Sequence, residues 1–402
     1  MDPSHTEIVP SAGNKSTMFA IRGCSQLESK TTRSNETEEL WSLLPDEVAV
    51  NCLAQVSRLD LVALAMVSRR HRLVPESHEL RAMRYRIGSV DPYLYVFMHL
   101  YPDPSPRWFV LHPVQRLLKP VHSSLLYQAP ESGSCFVETD WGIYTIGGLI
   151  NGKPTSEVTF FDCIKHTVYR VTPMKMARSG ASASLIDGKK IYVFGGCWDV
   201  ADSSNWVEVF DLETGTWEFL SVFTPKMPLK IQQSVVIVIP KGDKYVYAVD
   251  EDGQIFAFSP SNCTFVTNGV TESNPETRND WLLAEALFCR GIGGTILWRL
   301  PNETLWKEVN GLEELQQQHS SGFDIIKICA FSVDRMAIFW QAPRPQGPDH
   351  ILELWYAELS LTRRQGAEGW WEVWANIECS GAVLSDSSHS GLNLLYAASV
   401  YA

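Results

Sequence analysis

Glutamate, aspartate and histidine side chains that could share a metal ion come closest to a ligand pattern at Glu157, Asp162 and His166. Carboxylates and imidazoles are common ligands of iron and other transition metals. Asp162, however, directly follows a strand-like run, where aspartate is typical of a turn because its side chain can bond the nearby backbone. His166 falls in the loop that follows. We therefore interpret Asp162 as a turn residue and predict neither a metal site nor a cofactor.

A run of arginines is the second group with chemical potential, because clustered guanidinium groups can contact nucleic-acid phosphates. It comprises Arg69, Arg70, Arg72, Arg81, Arg84 and Arg86. The whole chain carries a net charge of -12, so a solvated face of amphipathic helices is the simpler interpretation. The sequence also lacks a P-loop, a CxxC pair and a GxGxxG between a strand and a helix. We predict no nucleic-acid partner.

Targeting and redox features of the 402-residue chain indicate an intracellular protein. No apolar run approaches the ~20 residues needed to span a bilayer, and the N-terminus lacks the pattern of a secretory signal. Nine cysteines without a paired framework are typical of reduced thiols. We expect a cytoplasmic or nuclear location, or both, and no membrane partner.

The N-terminal part of the chain changes character near residue 39. Residues 1–38 are rich in Ser, Thr, Asn and Glu, and we expect a disordered tail. Residues 39–86 place apolar side chains at helical spacing, and Pro45 suits a helix start. The segment predicts about three short helices. It contains more apolar positions than so small a bundle can bury, so we expect it to pack against a partner.

Two stretches of almost the same sequence, "GIYTIGG" at 142–148 and "KIYVFGG" at 190–196, recur 48 residues apart. Each belongs to a unit of four strand-like runs, and the units cover residues 135–178 and 179–226. Four alternating runs separated by turn residues predict one antiparallel blade. A blade cannot bury both of its faces alone, so the repeat predicts a propeller.

The residues that recur between the units have physical roles. Paired glycines permit positive φ and a close backbone approach, aspartate suits the turn after the third strand, and an outer aromatic can wedge between blades. We match Tyr169 to Trp217, 48 residues later. The candidate structural residues of the two units are Tyr144, Gly147, Gly148, Asp162, Tyr169, Arg178, Tyr192, Gly195, Gly196, Asp211 and Trp217.

Weaker units follow toward the C-terminus. We predict a third blade from Lys244 to Phe265, a fourth around Gly293 and Gly294, and a fifth from Arg335 that includes Trp371. An outer-type strand at 107–113 and an inner-type strand at 391–402 lack partners. Each supplies what the other lacks, so we predict that they share a sixth blade and close the ring, which removes exposed sheet edges.

These patterns resemble two known families. The glycine pairs, the aromatic about twenty residues later and Arg178 resemble the kelch repeat. The helical segment, with "LLPDE" and "VSRRHRLV", resembles an F-box, and residues 87–106 resemble the connector of plant F-box/kelch proteins. The expected fold is multidomain: a small all-α F-box bundle at 39–86 followed by an all-β kelch-type propeller at 107–402.

The resemblance implies a non-catalytic subunit that recognises substrates for an SCF-type ubiquitin ligase. In that family the F-box docks on a Skp-type adaptor, which leads to cullin and a RING subunit, and the propeller binds a target protein. The F-box positions that match the family's apolar contact and core residues are Leu44, Pro45, Val48, Leu53, Leu61, Leu64 and Val67.

An alternative is a kelch scaffold or kelch enzyme with no link to ubiquitination. Galactose oxidase-like proteins need paired tyrosines, a linked cysteine and histidines, whereas the ten histidines here are dispersed. Nitrile-specifier-like proteins space their iron ligands four residues apart, whereas Glu157 and Asp162 are five apart. Copurification with a Skp-type adaptor separates the two function classes.

Overall fold

The computed structural model describes residues 45–57, 60–61, 77–121, 128–197, 205–222, 230–238, 242–301, 303–318, 323–332, 334–341, 351–366 and 369–401. The chain divides into two compact units, residues 1–83 and 84–402. The predicted tail at 1–38 lies outside the described residues. No helix in the described part of the chain is both long and apolar enough to cross a membrane.

The first unit contains helix α1 (Asp46–Ala54), and helix α2 (His78–Arg86) begins in it. Pro45 occupies the N-cap of α1, where its fixed φ suits a helix start. Leu53, Ala54, Leu61 and Leu80 are buried together. Ser57 Oγ accepts a hydrogen bond from Asp60 N at 3.2 Å, as an N-cap residue does. Two of the roughly three predicted helices are therefore present in the described residues, and the chain between them at 62–76 lies outside those residues.

The second unit is a propeller of six antiparallel blades in the described residues, each a sheet of four strands. In the first two blades the strands are β4 (Cys135–Glu138), β5 (Gly142–Ile146), β8 (Val158–Asp162) and β9 (Thr167–Val171), and then β10 (Ala181–Ile186), β11 (Lys190–Gly195), β12 (Val207–Asp211) and β13 (Thr216–Leu220). A small hairpin, β6 (Leu149–Ile150) and β7 (Lys153–Pro154), extends the first. The two repeats are thus confirmed as blades.

The next three blades have less regular sequences. Their strands are β14 (Ile231–Val238), β15 (Lys244–Asp250), β16 (Gln254–Ser259) and β17 (Thr264–Thr271); β18 (Leu282–Leu283), β19 (Leu287–Arg290), β20 (Ile296–Arg299) and β21 (Lys307–Glu308); and β22 (Ile325–Ser332), β23 (Arg335–Gln341), β24 (Leu352–Gln365) and β25 (Trp371–Asp386). A short helix, α3 (Glu313–Gln318), precedes β22. These three blades are predicted from the sequence, but their innermost strands β14, β18 and β22 are not.

The sixth blade joins the two ends of the propeller and closes the ring, as predicted. Its strand order is β26 (Gly391–Tyr401), β1 (Pro92–Tyr101), β2 (Arg107–Leu111) and β3 (Leu118–Pro120). β1 pairs with β26 along its full length, from Pro92 against Tyr401 to Tyr101 against Gly391. The C-terminal strand is therefore the innermost strand of the closing blade.

This pairing corrects the expectation that residues 87–106 form a connector. Residues 92–101 form β1, the second strand of the closing blade, and most of its side chains are buried. A run that is buried on both faces lacks the alternation by which a half-exposed strand is recognised. The propeller therefore begins at residue 92 and not at residue 107.

Apolar side chains from neighbouring blades pack into six clusters, one at each interface between consecutive blades. Trp217 lies between the first and second blades, 4% exposed, and its indole donates to Thr172 O at 2.8 Å. This is the predicted wedge. Burial of large aromatic area between blades stabilises the ring by excluding water from every interface.

The predicted match of Tyr169 to Trp217 is wrong by one residue. Trp217 pairs with Phe210, and the corresponding partner of Phe161 is Val168. Tyr169 is 43% exposed and faces away from the interface. The spacing from third to fourth strand is the same in both units, but the loop before the third strand is one residue shorter in the first unit. A residue chosen at the same distance from the glycine pair in both units is therefore shifted by one position along the outer strand. That shift places its side chain on the opposite face of the strand.

Candidate functional site: two interaction surfaces

Helix α1 presents an apolar stripe on its exposed side. Pro45, Val48 and Cys52 are exposed there, and Val48 has 43% of its surface accessible. These positions are i, i+3 and i+7, so they lie along one side of the helix. An apolar row at this spacing is the type of surface that inserts into a groove on a partner.

The other predicted F-box residues either are buried or lie outside the described residues. Leu53 and Leu61 are 3% and 4% exposed, so they hold the bundle together and do not form its surface. Leu44, Leu64 and Val67 lie outside the described residues. Of the described members of the set, only Pro45 and Val48 can touch a partner directly.

The predicted arginine cluster is not a uniform solvated face. Arg86 is exposed, but Arg84 is 4% exposed and Arg81 is partly buried. The expectation of a solvated face is wrong for Arg84, whose side chain is part of the protein interior. The remaining three arginines lie outside the described residues.

Arg178 joins the first blade to the second. Its guanidinium is fully buried against Glu208, with Nε and Nη2 both 3.0 Å from Oε1. It also donates to the carbonyl oxygens of Gly195, Asn205 and Trp206 at 2.7, 2.7 and 3.0 Å. The backbone carbonyl oxygen of Arg178 accepts a hydrogen bond from Gly148 N of the first blade at 2.8 Å. Arg178, which the sequence singled out as a structural residue, thus organises the contact between the two blades.

The glycine pairs adopt the backbone conformation that their position requires. Gly147, Gly148, Gly195 and Gly196 all have positive φ. A Cβ on Gly147 would lie 2.5 Å from Arg178 O, so the pair also permits a close approach of two backbone segments.

The tyrosines of the second strands contact the next blade. Tyr144 meets Phe210 of the second blade with ring centroids 6.1 Å apart, and Tyr192 meets Phe258 of the third at 5.8 Å. Burial raises the pKa of both hydroxyls. The two tyrosines therefore belong to the blade interfaces and take the same place in successive blades.

The aspartates after the third strands organise turns. Asp162 Oδ1 accepts from Ile164 N and Lys165 N, both at 2.9 Å. Asp211 Oδ1 accepts from Thr214 N and Glu213 N, and these bonds hold its pKa below the usual range. Within the described residues, no three His, Cys, Asp or Glu side chains form a metal-binding group. Asp162 has the turn role that we inferred for it.

The innermost strands of all six blades surround a central channel, which contains a cavity of about 510 Å³. Ring arrangements of this kind leave a channel because the first strands stand side by side around the axis. One lining residue from each of β4, β10, β14, β18, β22 and β26 is Phe136, Ser182, Ser234, Leu282, Cys329 and Tyr396. The volume lies within the range of small-molecule sites.

Glu138 and Tyr396 meet inside this channel. The Tyr396 hydroxyl donates to Glu138 Oε1, and its ring stacks on Phe136 with centroids 4.3 Å apart and planes 8° apart. Desolvation inside the ring raises the pKa of Glu138, although the hydrogen bond from the Tyr396 hydroxyl acts to lower it. Burial also raises the pKa of Tyr396 well above its usual range. Sequence reasoning missed this pair, because its members are 258 residues apart.

Comparison with known proteins identifies both units. Residues 41–73 match the F-box domain, and residues 70–384 match the family described as FKB95, Kelch-repeats domain. This chain is a member of the F-box/kelch-repeat family. It is 32% identical to a putative F-box/kelch-repeat protein of Arabidopsis thaliana over 89% of this chain and 88% of the relative.

Further relatives from Arabidopsis thaliana have names that combine an F-box with kelch repeats. A second putative F-box/kelch-repeat protein is 31% identical over 81% of this chain and 84% of its own length. An F-box/kelch-repeat protein is 29% identical over 90% of this chain and 93% of its own length. The two domains matched in this chain are thus also the two named in these relatives, and the combination suggests an adaptor role.

Proposed function

We propose that this protein is the substrate-recognition subunit of an SCF-type ubiquitin ligase. Its F-box docks on a Skp-type adaptor that leads to cullin and a RING subunit, and its propeller binds a target protein. The subunit itself makes and breaks no bonds. It accelerates ubiquitin transfer by raising the effective concentration of the target near the charged conjugating enzyme. We place this activity in the cytoplasm, the nucleus or both.

The observation that carries the proposal is the combination of an F-box and a kelch propeller in one chain. The exposed stripe of Pro45, Val48 and Cys52 supports it, because the stripe leaves apolar surface available for a groove. The closed ring supports it as well, since a closed propeller offers a rigid surface on which a target can bind.

Adaptor binding is tested with two matched substitutions of exposed valines. Val48 is 43% exposed on α1, and Val266 is 49% exposed on an outer strand of the propeller. Val48→Asp should weaken copurification with a Skp-type adaptor at least tenfold, because docking would desolvate a carboxylate. Val266→Asp should leave it unchanged. Val48→Thr, nearly the same in size, should retain most of the binding.

Equal adaptor binding by Val48→Asp and Val266→Asp, with both variants folded by circular dichroism, would overturn the docking surface. The ligase role needs a second measurement. Target proteins captured by the full chain under proteasome inhibition should be ubiquitinated in a reconstituted reaction with wild type and not with Val48→Asp. Equal ubiquitination with both would contradict the proposed function.

A further inference from the structure

The central channel contains one carboxylate, that of Glu138, without a cationic partner among the described residues. Glu138 lies inside the ring, and its side chain is exposed to the open space of the cavity. Its hydrogen bond comes from the Tyr396 hydroxyl, at Oε1. A carboxylate that faces an enclosed channel attracts a cation more strongly than one on an open surface, because the low-dielectric walls focus its field.

The cations near the channel are engaged elsewhere. Lys327 lines the cavity, but its Nζ lies 2.6 Å from Asp280 Oδ1. Arg290 lies 3.3 Å from Asp280 Oδ2 and donates to Ile325 O at 3.0 Å. Among the charged lining residues, Asp280 and Lys327 therefore neutralise one another. Glu138 remains as the negative charge that faces the open space.

The rest of the wall suits an organic cation. Phe136 and Tyr396 form a stacked aromatic surface beside Glu138, and aromatic faces attract cations. Ser182, Ser234, Gln232 and Gln233 supply polar atoms on neighbouring strands. A carboxylate, an aromatic wall and a cavity of about 510 Å³ together have the composition and size typical of a site for a small ligand.

We propose that the central channel binds a primary ammonium group at Glu138. The group belongs either to a small amine or to a lysine side chain of a bound protein, and both sources present the same chemistry to the carboxylate. The site does not require the adaptor role, so Val48→Asp should bind the amine as wild type does. Failure of one proposal is thereby distinguishable from failure of the other.

The test measures binding of butylammonium chloride to the purified full-length protein by saturation-transfer NMR and isothermal titration calorimetry, with sodium chloride at matched ionic strength. Butylammonium should bind, and butanol, which has no charge, should not. Glu138→Gln should weaken binding at least tenfold. Glu218→Gln, the same change at an exposed position on β13, should not alter it.

Glu138→Asp separates charge from folding, because it keeps the carboxylate. It should bind butylammonium within a few fold of wild type, with an unchanged melting temperature for every variant. Absence of butylammonium binding to wild type would overturn the proposal, and so would equal binding to wild type and folded Glu138→Gln.

The source of the ammonium group is tested by competition. A blocked pentapeptide, Gly-Gly-Lys-Gly-Gly, is compared with the same peptide carrying norleucine in place of lysine. Competition by the lysine peptide alone would assign the site to a basic side chain of a bound protein. Binding of butylammonium without competition by either peptide would assign it to a small amine.

Discussion

Arg178 shows how a single side chain connects two blades. It satisfies three carbonyl oxygens and Glu208 in the interior, whereas Glu208 Oε2 also accepts from Lys175 N at 2.7 Å. The resemblance to a kelch repeat selected Arg178 from the sequence. Its partner Glu208 could not be predicted, because the alternating run that contains it gives no sign that its carboxylate faces the interior.

Removal of this guanidinium should destabilise the propeller strongly. Arg178→Met leaves Glu208 buried without its cation, and we expect a loss of about 3–5 kcal/mol in the free energy of unfolding. Urea unfolding measures the loss. The double variant Arg178→Met, Glu208→Gln should lose less than the sum of the single variants, because the neutral amide removes the stranded charge. Additive losses would show that the two side chains are not coupled.

His389 connects the fifth blade to the closing blade through two carboxylates. Nδ1 lies 2.9 Å from Asp386 Oδ2, and Nε2 lies 3.2 Å from Asp103 Oδ1. Desolvation opposes the charge of His389, but the hydrogen bonds to Asp386 and Asp103 outweigh it and raise its pKa. Burial acts to raise the pKa of Asp386, yet hydrogen bonds from Ser388 and His389 lower it to about 2.

The signs of these shifts predict a pH window for this contact. A histidine whose pKa is raised by folding contributes stability at low pH, and this contribution is lost as the pH rises through the pKa of the folded protein. An aspartate whose pKa is lowered by folding contributes stability that is lost only as the pH falls toward 2. The difference in melting temperature between wild type and His389→Gln should therefore shrink from about pH 5.5 to about pH 8.5. A difference that stays constant over this range would contradict the charged contact.

At the scale of the strand, a comparison of Gly196 with Gly152 separates the cost of close packing from the cost of backbone strain. Gly196 and Gly152 have φ of +68° and +69°. A Cβ on Gly196 would lie 2.6 Å from Ala181 N, whereas nothing lies within 4 Å of a Cβ on Gly152. The two glycines are therefore a matched pair that separates conformation from packing.

Alanine at both positions tests this separation. Gly152→Ala should cost about 1–2 kcal/mol of unfolding free energy, the usual cost of a left-handed alanine. Gly196→Ala should cost roughly 1–3 kcal/mol more, because the methyl group displaces the backbone of β10. Denaturant titration of both variants measures the difference. Equal costs would mean that the backbone at Ala181 yields without penalty.

Strands were predictable where buried and more accessible side chains alternate, as in β4 and β10. The innermost strand β14 was missed because polar residues such as Gln233 and Ser234 line the channel, so its apolar alternation is weak. β18 has only two residues, too few for any pattern. Glu138 was missed as a site residue for a related reason, since its surroundings exist only after the ring closes.

At the scale of the whole molecule, ring closure decides which fragments can fold. β1 lies between β26 and β2 in the closing blade. A fragment of residues 107–402, cut at the boundary expected from the sequence, lacks β1 and exposes the edges of both neighbouring strands. We expect this fragment to aggregate or to be degraded readily by protease. Residues 88–402 should remain monomeric and melt cooperatively.

Size-exclusion chromatography and limited proteolysis of the two fragments provide the comparison. Deletion of residues 391–402 serves as the control from the other end of the chain, because it removes β26 and leaves β1 unpaired on its inner side. A stable, monomeric 107–402 fragment would contradict the closed blade.

The pairing of β1 with β26 also sets the order of events on the ribosome. Gly391 is synthesised long after Tyr101, its partner across the sheet. At about 5–20 residues per second, the inner edge of β1 waits on the order of 15 to 60 s for its neighbour to emerge. During that interval the nascent chain has an open sheet edge that chaperones can bind. A transcript truncated before the codons of β26 would leave that edge open permanently, and the open edge would mark the product as incomplete.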